Sequence, residues 1–261
     1  MPSLHRREII VALSAVFATL CVLSSVSPAQ GSFYSLATVH FDVKYQRGIG
    51  DSGAQKVADY LQNDYSYLSE KLKLDLRKKL EVRVYDTVGK YLTGTNQKRP
   101  WRGGIFWRGV LHLQPVQALV QRELFEQVLS FELAMALLEQ TAGRGCPRWL
   151  REAFAVYHCG EMVNLAPPIG ARLASFSDLD QDLQTYPNPP QREDVHYILG
   201  MTMKFFIEKY GEDKAMSVYK VFDGRTSLED VFKKVFKQEF RTIERTWANY
   251  IASLTEEFKR K

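Results

Sequence analysis

The residues whose types and spacing suggest chemistry lie in one stretch, "FELAMALLEQTAGRGCPRWLREAFAVYHCG", from Phe131 to Gly160. Glu132 belongs to a strongly apolar helical pattern and Glu152 to the next one, and glycines and a proline separate the two. Two carboxylates that face one cleft can act as the acid and the base of a hydrolase, and a carboxylate can also bind a metal ion. Both kinds of chemistry are therefore open at this point.

The other donor groups do not form a recognisable site. His158, Cys159 and Glu161 are close in sequence, but neighbouring residues on a helix point in different directions. The sequence contains no Gly-x-Ser-x-Gly motif that would mark a serine nucleophile. The other histidines beyond the N-terminal segment stand alone, namely His40, His112 and His196. The residues outside the opening stretch thus suggest neither a second metal site nor a nucleophile.

The elements that must position these residues follow from the hydrophobic periodicity. Ala37–Tyr45, with Val39 pointing inward, and Lys79–Asp86 alternate as strands, and a helical stripe lies between them. Arg102–Gln114 is typical of two short strands joined by a tight turn at Arg108-Gly109. Helices are predicted afterwards around Leu124–Leu138, Trp149–Tyr157, Val195–Tyr210 and Ile243–Ile251. The predicted class is α+β, with a small N-terminal mixed sheet and helices followed by a mainly helical C-terminal half.

Two segments resemble a known family. "PRWLREAFAVY" is similar to the helix that delivers the third zinc ligand in gluzincin metallopeptidases, with its tryptophan-leucine-x-glutamate pattern. "VHYILGMTMKFFIEKYG" resembles the following helix of the peptidase-MA-like branch, in which a tyrosine precedes a closing glycine, here Tyr197 and Gly211. The resemblance extends from about Ala37 to Ile251. It implies the architecture of a gluzincin, or thermolysin-like, catalytic domain.

The same resemblance implies roles for individual residues. Glu132 matches the general base, Glu152 the third zinc ligand, and Tyr197 a tyrosine that faces the cleft. In the HExxH signature two histidines on one helix supply the other two ligands. Phe131 and Met135 stand at those positions; phenylalanine has no donor atom, and a thioether is too weak a ligand for zinc. The resemblance therefore implies a degenerate site without zinc or another cofactor, in which the two carboxylates face one cleft with no cation between them.

Each of these residues also has a plain structural interpretation. Phe131 and Met135 continue an apolar stripe and need be no more than core residues. Glu132 fits the exposed side of its helix equally well. Glu152 fits a surface pair with Arg148, one helical turn away, which would contribute little to stability. These interpretations stay open alongside the functional ones.

The N-terminus predicts export. Arg6 and Arg7 precede an apolar run over residues 9–26, and small residues follow up to Ala29. Residues 1–29 are therefore predicted to be a signal peptide, and residues 30–261 a single peptidase-MA-like domain. The apolar run is also just long enough to span a bilayer, so an uncleaved anchor remains open. The expected location is periplasmic or secreted, or anchored in the inner membrane.

Composition narrows the choice of partner. Hydrophobic residues make up 45% of the 261, enough for a substantial core. The net charge is +5, but basic residues alternate with acidic ones and form no stripe, which disfavours nucleic acid as a partner.

The resulting hypothesis is an exported, non-catalytic pseudopeptidase. Its metal-free cleft would have Phe131 and Met135 as its floor and would bind a peptide or a protein. The hairpin with Trp107 would form its edge and accept an extended chain as an extra strand. Two alternatives remain, an active hydrolase with displaced site residues and a structural or assembly protein of the cell envelope.

Overall fold

The computed structural model describes residues 32–98, 103–142, 145–166, 168, 175–185, 189–223 and 225–259. A small mixed sheet is followed by a mainly helical remainder, which confirms the predicted α+β class. Within these ranges the strands are β1 (Phe33–Ala37), β2 (Phe41–Gln46), β3 (Leu80–Val84), β4 (Gly104–Trp107) and β5 (Val110–Leu113). The α-helices are α1 (Gly50–Leu72), α2 (Val88–Thr95), α3 (Val116–Gln121), α4 (Phe125–Ala142), α5 (Arg148–His158), α6 (Phe176–Thr185), α7 (Pro189–Tyr210), α8 (Glu212–Val221), α9 (Leu228–Phe236) and α10 (Phe240–Lys259).

The predicted signal peptide and the possible anchor over residues 9–26 lie outside the described residues. Among the helices that the structure describes, none is both long and apolar enough to cross a membrane. The residues from Phe33 onward group into one compact unit.

The sheet has the strand order β1-β2-β3-β5-β4 and mixes both kinds of pairing. The outer pairs β1–β2 and β4–β5 are antiparallel, whereas β2–β3 and β3–β5 are parallel. A parallel pair needs a long crossover, and α1 supplies it between β2 and β3. The apolar stripe of α1 that the sequence predicted is buried throughout, namely Val57, Leu61, Tyr65, Leu68 and Leu72.

The predicted hairpin is confirmed as β4 and β5. Arg108 and Gly109 both have left-handed backbone angles, φ 52° and φ 81°. Two such residues in succession form the turn whose twist suits a two-residue hairpin. The hairpin leaves β4 at the edge of the sheet, next to α4.

The single strand predicted over Ala37–Tyr45 is wrong. A turn divides this region into β1 and β2, and the Thr38 N–H donates to the Phe41 carbonyl across it. Val39 lies in the turn and is 73% exposed, although its alternation with Phe41 placed it in the core. Apolar and polar residues alternate through the turn as well as along β2, so the alternation did not reveal that the chain reverses direction there.

The sheet face opposite α4 contains a buried histidine, His112 on β5. Its Nδ1 lies 2.9 Å from the hydroxyl of Tyr85, and the two rings are stacked. Burial is the main cause that lowers the pKa of His112 to about 4, and the nearby charge of Arg83 contributes. The imidazole is therefore neutral in the folded protein at neutral pH.

We predict that His112 makes the fold less stable in acid. In the unfolded chain a histidine takes up a proton below a pH of about 6.5, whereas folded His112 resists protonation until the pH reaches about 4. The unfolded state is therefore favoured as the pH falls through this window, by on the order of 3 kcal/mol in total. Urea unfolding at pH 7 and pH 4.5 should show a smaller loss of stability in His112→Gln than in the unmodified protein. An equal loss in both proteins would contradict this origin of the pH dependence.

Candidate functional site

The start of α5 is fixed in the core by its first two residues after Arg148. The ring of Trp149 stacks on Phe176 of α6 at 4.5 Å between centroids. Its backbone N–H donates to Asp180 Oδ1 at 3.2 Å, which satisfies one of the free N–H groups of the helix start. The Leu150 carbonyl accepts a hydrogen bond from the buried hydroxyl of Tyr219 at 2.9 Å. These contacts fix the rotation of α5, so that Glu152 faces the protein interior.

Glu152 is 1% exposed and forms an ion pair with Arg148. Arg148 Nε donates to Glu152 Oε1 at 2.6 Å, and Arg148 Nη1 donates to the Leu183 carbonyl at 3.3 Å. The pairing was one of the interpretations left open, but the expectation that it is a surface contact is wrong, because the carboxylate is buried. A cation, the Arg148 guanidinium, thus lies beside the Glu152 carboxylate.

Phe131 is buried beneath a histidine of α7. The rings of Phe131 and His196 are nearly parallel, at 13°, with centroids 5.8 Å apart. His196 is fully buried, and its Nε2 lies 4.0 Å from Glu152 Oε2. One imidazole thus lies between Phe131 and Glu152.

The second ring nitrogen of His196 faces another acid. Nδ1 lies 2.9 Å from Glu161 Oε2 on the 3₁₀ turn Glu161–Asn164. This turn approaches α7 closely because position 200 is glycine; a Cβ there would lie 2.7 Å from Met162 Cβ. The sequence prediction treated His196 as isolated. The available signal was that His196 shares a helix face with the buried residues Leu199 and Met203, where a polar group needs a partner.

Glu132 is 6% exposed, so the interpretation that it lies on the outer side of α4 is wrong. Its Oε2 accepts a hydrogen bond of 2.6 Å from the Phe106 N–H of β4. In the register of the hairpin the ladder bonds fall on alternate residues, so this N–H points away from β5 at the open edge of the sheet. The residue at the general-base position therefore binds the edge of the sheet.

Trp107 does not lie on the side of α4. A Cβ on Gly104 would lie 2.7 Å from Val128 Cγ1 of α4, so Gly104 faces that helix. Side chains alternate along a strand, and Phe106 therefore faces α4 whereas Trp107 faces the opposite side of the sheet. There its ring lies 6.1 Å from that of His112. The prediction that Trp107 lines a cleft with Phe131 is therefore wrong, and Phe106 is the residue of β4 that faces α4.

The two remaining predicted residues, Met135 and Tyr197, are both half-buried at the margin of the core. Met135 lies one turn after Phe131 on α4, and Tyr197 follows His196 on α7. The structure thus brings Phe131, Glu152 and His196 together. Met135 and Tyr197 are partly exposed, and the structure does not add them to this contact.

Metal ligands are not grouped in the part of the chain that the structure describes. Within it, no set of three or more His, Cys, Asp or Glu side chains is arranged to hold a metal ion. The sequence cluster of His158, Cys159 and Glu161 is divided, since His158 pairs with Asp64 and Glu161 faces His196. Glu152 forms an ion pair with Arg148, and Phe131 and Met135 carry no ligand atom that suits zinc.

Comparison with known proteins does not assign the chain to a family. No protein-family model matches the chain, and no curated protein matches it.

We predict that Glu132 stabilises the protein through the edge of the sheet. Glu132→Ala leaves the Phe106 N–H without its acceptor and should cost about 2 kcal/mol in the free energy of unfolding. Glu132→Gln keeps an acceptor oxygen and should cost clearly less. Glu139→Ala is the matched control, since Glu139 is a half-exposed acid of the same helix. Urea unfolding in which Glu132→Ala and Glu139→Ala lose equally little would contradict this role.

Proposed function

We propose that the protein is an exported, non-catalytic pseudopeptidase of the peptidase-MA-like, gluzincin type, whose cleft binds a peptide or a protein. Export rests on the sequence of residues 1–29 alone. The proposal for the cleft rests on one observation, the buried contact of Phe131, His196 and Glu152 between α4, α5 and α7.

This contact supports the gluzincin interpretation of the two helices. In such enzymes the first zinc histidine and the third ligand come from successive helices and must meet at one ion. Phe131 of α4 and Glu152 of α5 approach the same imidazole from two sides.

The identities of the residues support the loss of catalysis. Phe131 and Met135 stand at the two positions that correspond to zinc histidines. The Arg148 guanidinium forms an ion pair with the Glu152 carboxylate. Glu132 accepts a hydrogen bond from a backbone N–H, which opposes its use as a general base. Glu132 and Glu152 thus each have a structural partner.

These contacts favour a binding mode in which side chains of the protein hold the peptide, and hydrogen bonds to the backbone of β4 contribute less. A peptide that joined the sheet as an extra strand would have to displace Glu132 from the Phe106 N–H. Phe106, Met135 and Tyr197 are half-buried and pack against the core that contains Phe131. Their apolar surfaces suit the side chains of an extended chain.

Casein provides an extended chain with which to test this function. We expect the purified protein to contain no stoichiometric zinc, to leave casein uncut and to bind it saturably in 0.3 M salt, which suppresses non-specific charge attraction. Met135→Arg should weaken binding by about tenfold, because a charge replaces the apolar centre of the surface. Val39→Arg is the control, since it introduces the same charge at an apolar residue that lies in the exposed turn between β1 and β2. Biolayer interferometry measures both variants.

Three results would contradict the proposal. Near one zinc per chain, with proteolysis that a chelator abolishes, would identify an active enzyme. No saturable binding of casein would favour a structural role in the cell envelope. Equal binding by Met135→Arg and Val39→Arg would locate the binding surface elsewhere.

A further inference from the structure

The two edges of the sheet differ in how their backbone groups are satisfied. At β4 the outward N–H of Phe106 is bonded to Glu132, and α4 lies beside the strand. At the other end β1 forms the edge, and within the described ranges no strand pairs with its outer side. Because β1 and β4 lie at opposite ends of the sheet, the inference below does not rest on the proposed function.

The outward backbone groups of β1 belong to Phe33, Ser35 and Ala37. In an antiparallel pair, every second residue exchanges hydrogen bonds with the neighbouring strand. The Thr38 N–H donates to the Phe41 carbonyl of β2, and the pairing register continues from there to the start of β1. Counting back in steps of two, the N–H and carbonyl groups at positions 33, 35 and 37 point away from β2. Outside the ladder, none of the described groups is hydrogen-bonded to them.

β1 lacks most of the features that keep an edge strand from pairing. Charged side chains, a proline or a bulge protect many native edge strands. The sequence of β1, FYSLA, contains no charge and no proline, and its register with β2 runs without a bulge. Of the usual protections β1 has only its short length. Its edge also presents apolar surface, since Tyr34 is 49% exposed.

The side chains of β1 complement those of a second copy of the same strand. Two copies that run antiparallel about Ser35 place Ser35 opposite Ser35 and Phe33 opposite Ala37. All three of these residues have outward backbone groups, so each such pair exchanges two backbone hydrogen bonds. Between them, Tyr34 of one copy meets Leu36 of the other. Each aromatic side chain thus faces a smaller apolar one, and no like charges meet, which favours cross-strand pairing.

The two aromatic side chains of β1 are already held in place by their own chain. Tyr34 stacks on the buried ring of Tyr45, with 5.7 Å between the centroids. On the other face of the sheet, Phe33 lies edge-to-face with Tyr85 at 5.8 Å. Side chains that are ordered before association lose less conformational entropy when a partner binds. The strand is therefore prepared for pairing in the single chain.

We propose that β1 pairs with β1 of a second copy of this chain, antiparallel about Ser35, so that two five-stranded sheets join into one. Such a contact is symmetric and closes at two copies, because each copy contributes the same edge. A strand of five residues buries little area, so the dimer is weak, with a dissociation constant on the order of 0.1 mM.

Sedimentation equilibrium of the full chain tests the dimer, in dodecyl maltoside so that the apolar run over residues 9–26 does not associate by itself. We expect a monomer–dimer equilibrium at concentrations up to about 0.5 mM. Ser35→Glu should weaken it at least about tenfold, because two carboxylates then lie directly opposite each other. The single chain tolerates this change, since Ser35 is exposed and Lys44 lies opposite it on β2. Val39→Glu is the control; Val39 is exposed in the turn after β1, outside the paired residues.

Cross-linking of Ser35→Cys tests the register and does not depend on the glutamate variant. The Cα atoms of a hydrogen-bonded antiparallel pair are about 5.5 Å apart, so a short bismaleimide should join two copies through position 35. Val39→Cys is the control, because its two copies lie about 20 Å or more apart in this register. The unmodified protein measures the background from the native cysteines, of which Cys159 is half-exposed.

Three results would overturn the proposal. A monomer throughout the concentration range would show that the edge of β1 does not pair with itself. A dimer that Ser35→Glu and Val39→Glu leave equally strong would form through another surface. Cross-linking of Ser35→Cys that does not exceed that of Val39→Cys would exclude the register about Ser35.

Discussion

The C-terminal half is organised around a histidine that cannot reach solvent. His196 lies with one face on Phe131 and with its two nitrogens towards Glu152 and Glu161, so that α4, α5, α7 and the 3₁₀ turn all meet at one ring. Burying a carboxylate is costly unless it has a partner, and the Arg148 ion pair offsets that cost for Glu152. The positions of the helices must therefore satisfy this polar cluster as well as the apolar core. Such a requirement limits the arrangements open to the helices more strictly than apolar packing does.

The same logic explains why an acid stands at position 132 in the interior of the protein. The hairpin ends the sheet with β4, and an edge strand exposes backbone groups that need partners. Gly104 allows α4 to approach that edge, and Glu132 then satisfies the Phe106 N–H. An acid that corresponds to a general base can thus be kept for the sheet. Its presence by itself does not indicate catalysis.

The predictions from the sequence held where the determining contacts are local. The stripe of α1 and the turn at Arg108-Gly109 depend on residues within a few positions of each other, and both are confirmed. The sequence indicated that His196 needs a polar partner, but it could not identify Glu152 and Glu161, because both lie on other elements.

Two other errors in the site have equally physical causes. Trp107 was assigned to the cleft from its position in the hairpin, whereas the strand places alternate side chains on opposite faces and directs Phe106 to α4. Glu152 was paired with the correct arginine, but its burial depends on the rotation of α5, which Trp149 and Tyr219 determine through contacts distant in sequence.

The central claim is that α4 and α5 present Phe131, Met135 and Glu152 to one point, as the ligand helices of a metallopeptidase would. Zinc titration of the double variant Phe131→His/Met135→His tests it most directly, since two imidazoles one turn apart share a helix face. The account predicts zinc binding that weakens when Glu152→Ala is added and strengthens when Arg148→Met is added, because the guanidinium then no longer competes for the carboxylate. Loss of Phe131 from the core costs on the order of 3 kcal/mol, so folding is checked first. An affinity for zinc that neither added substitution changes would mean that Glu152 does not face the two positions, and would contradict the account.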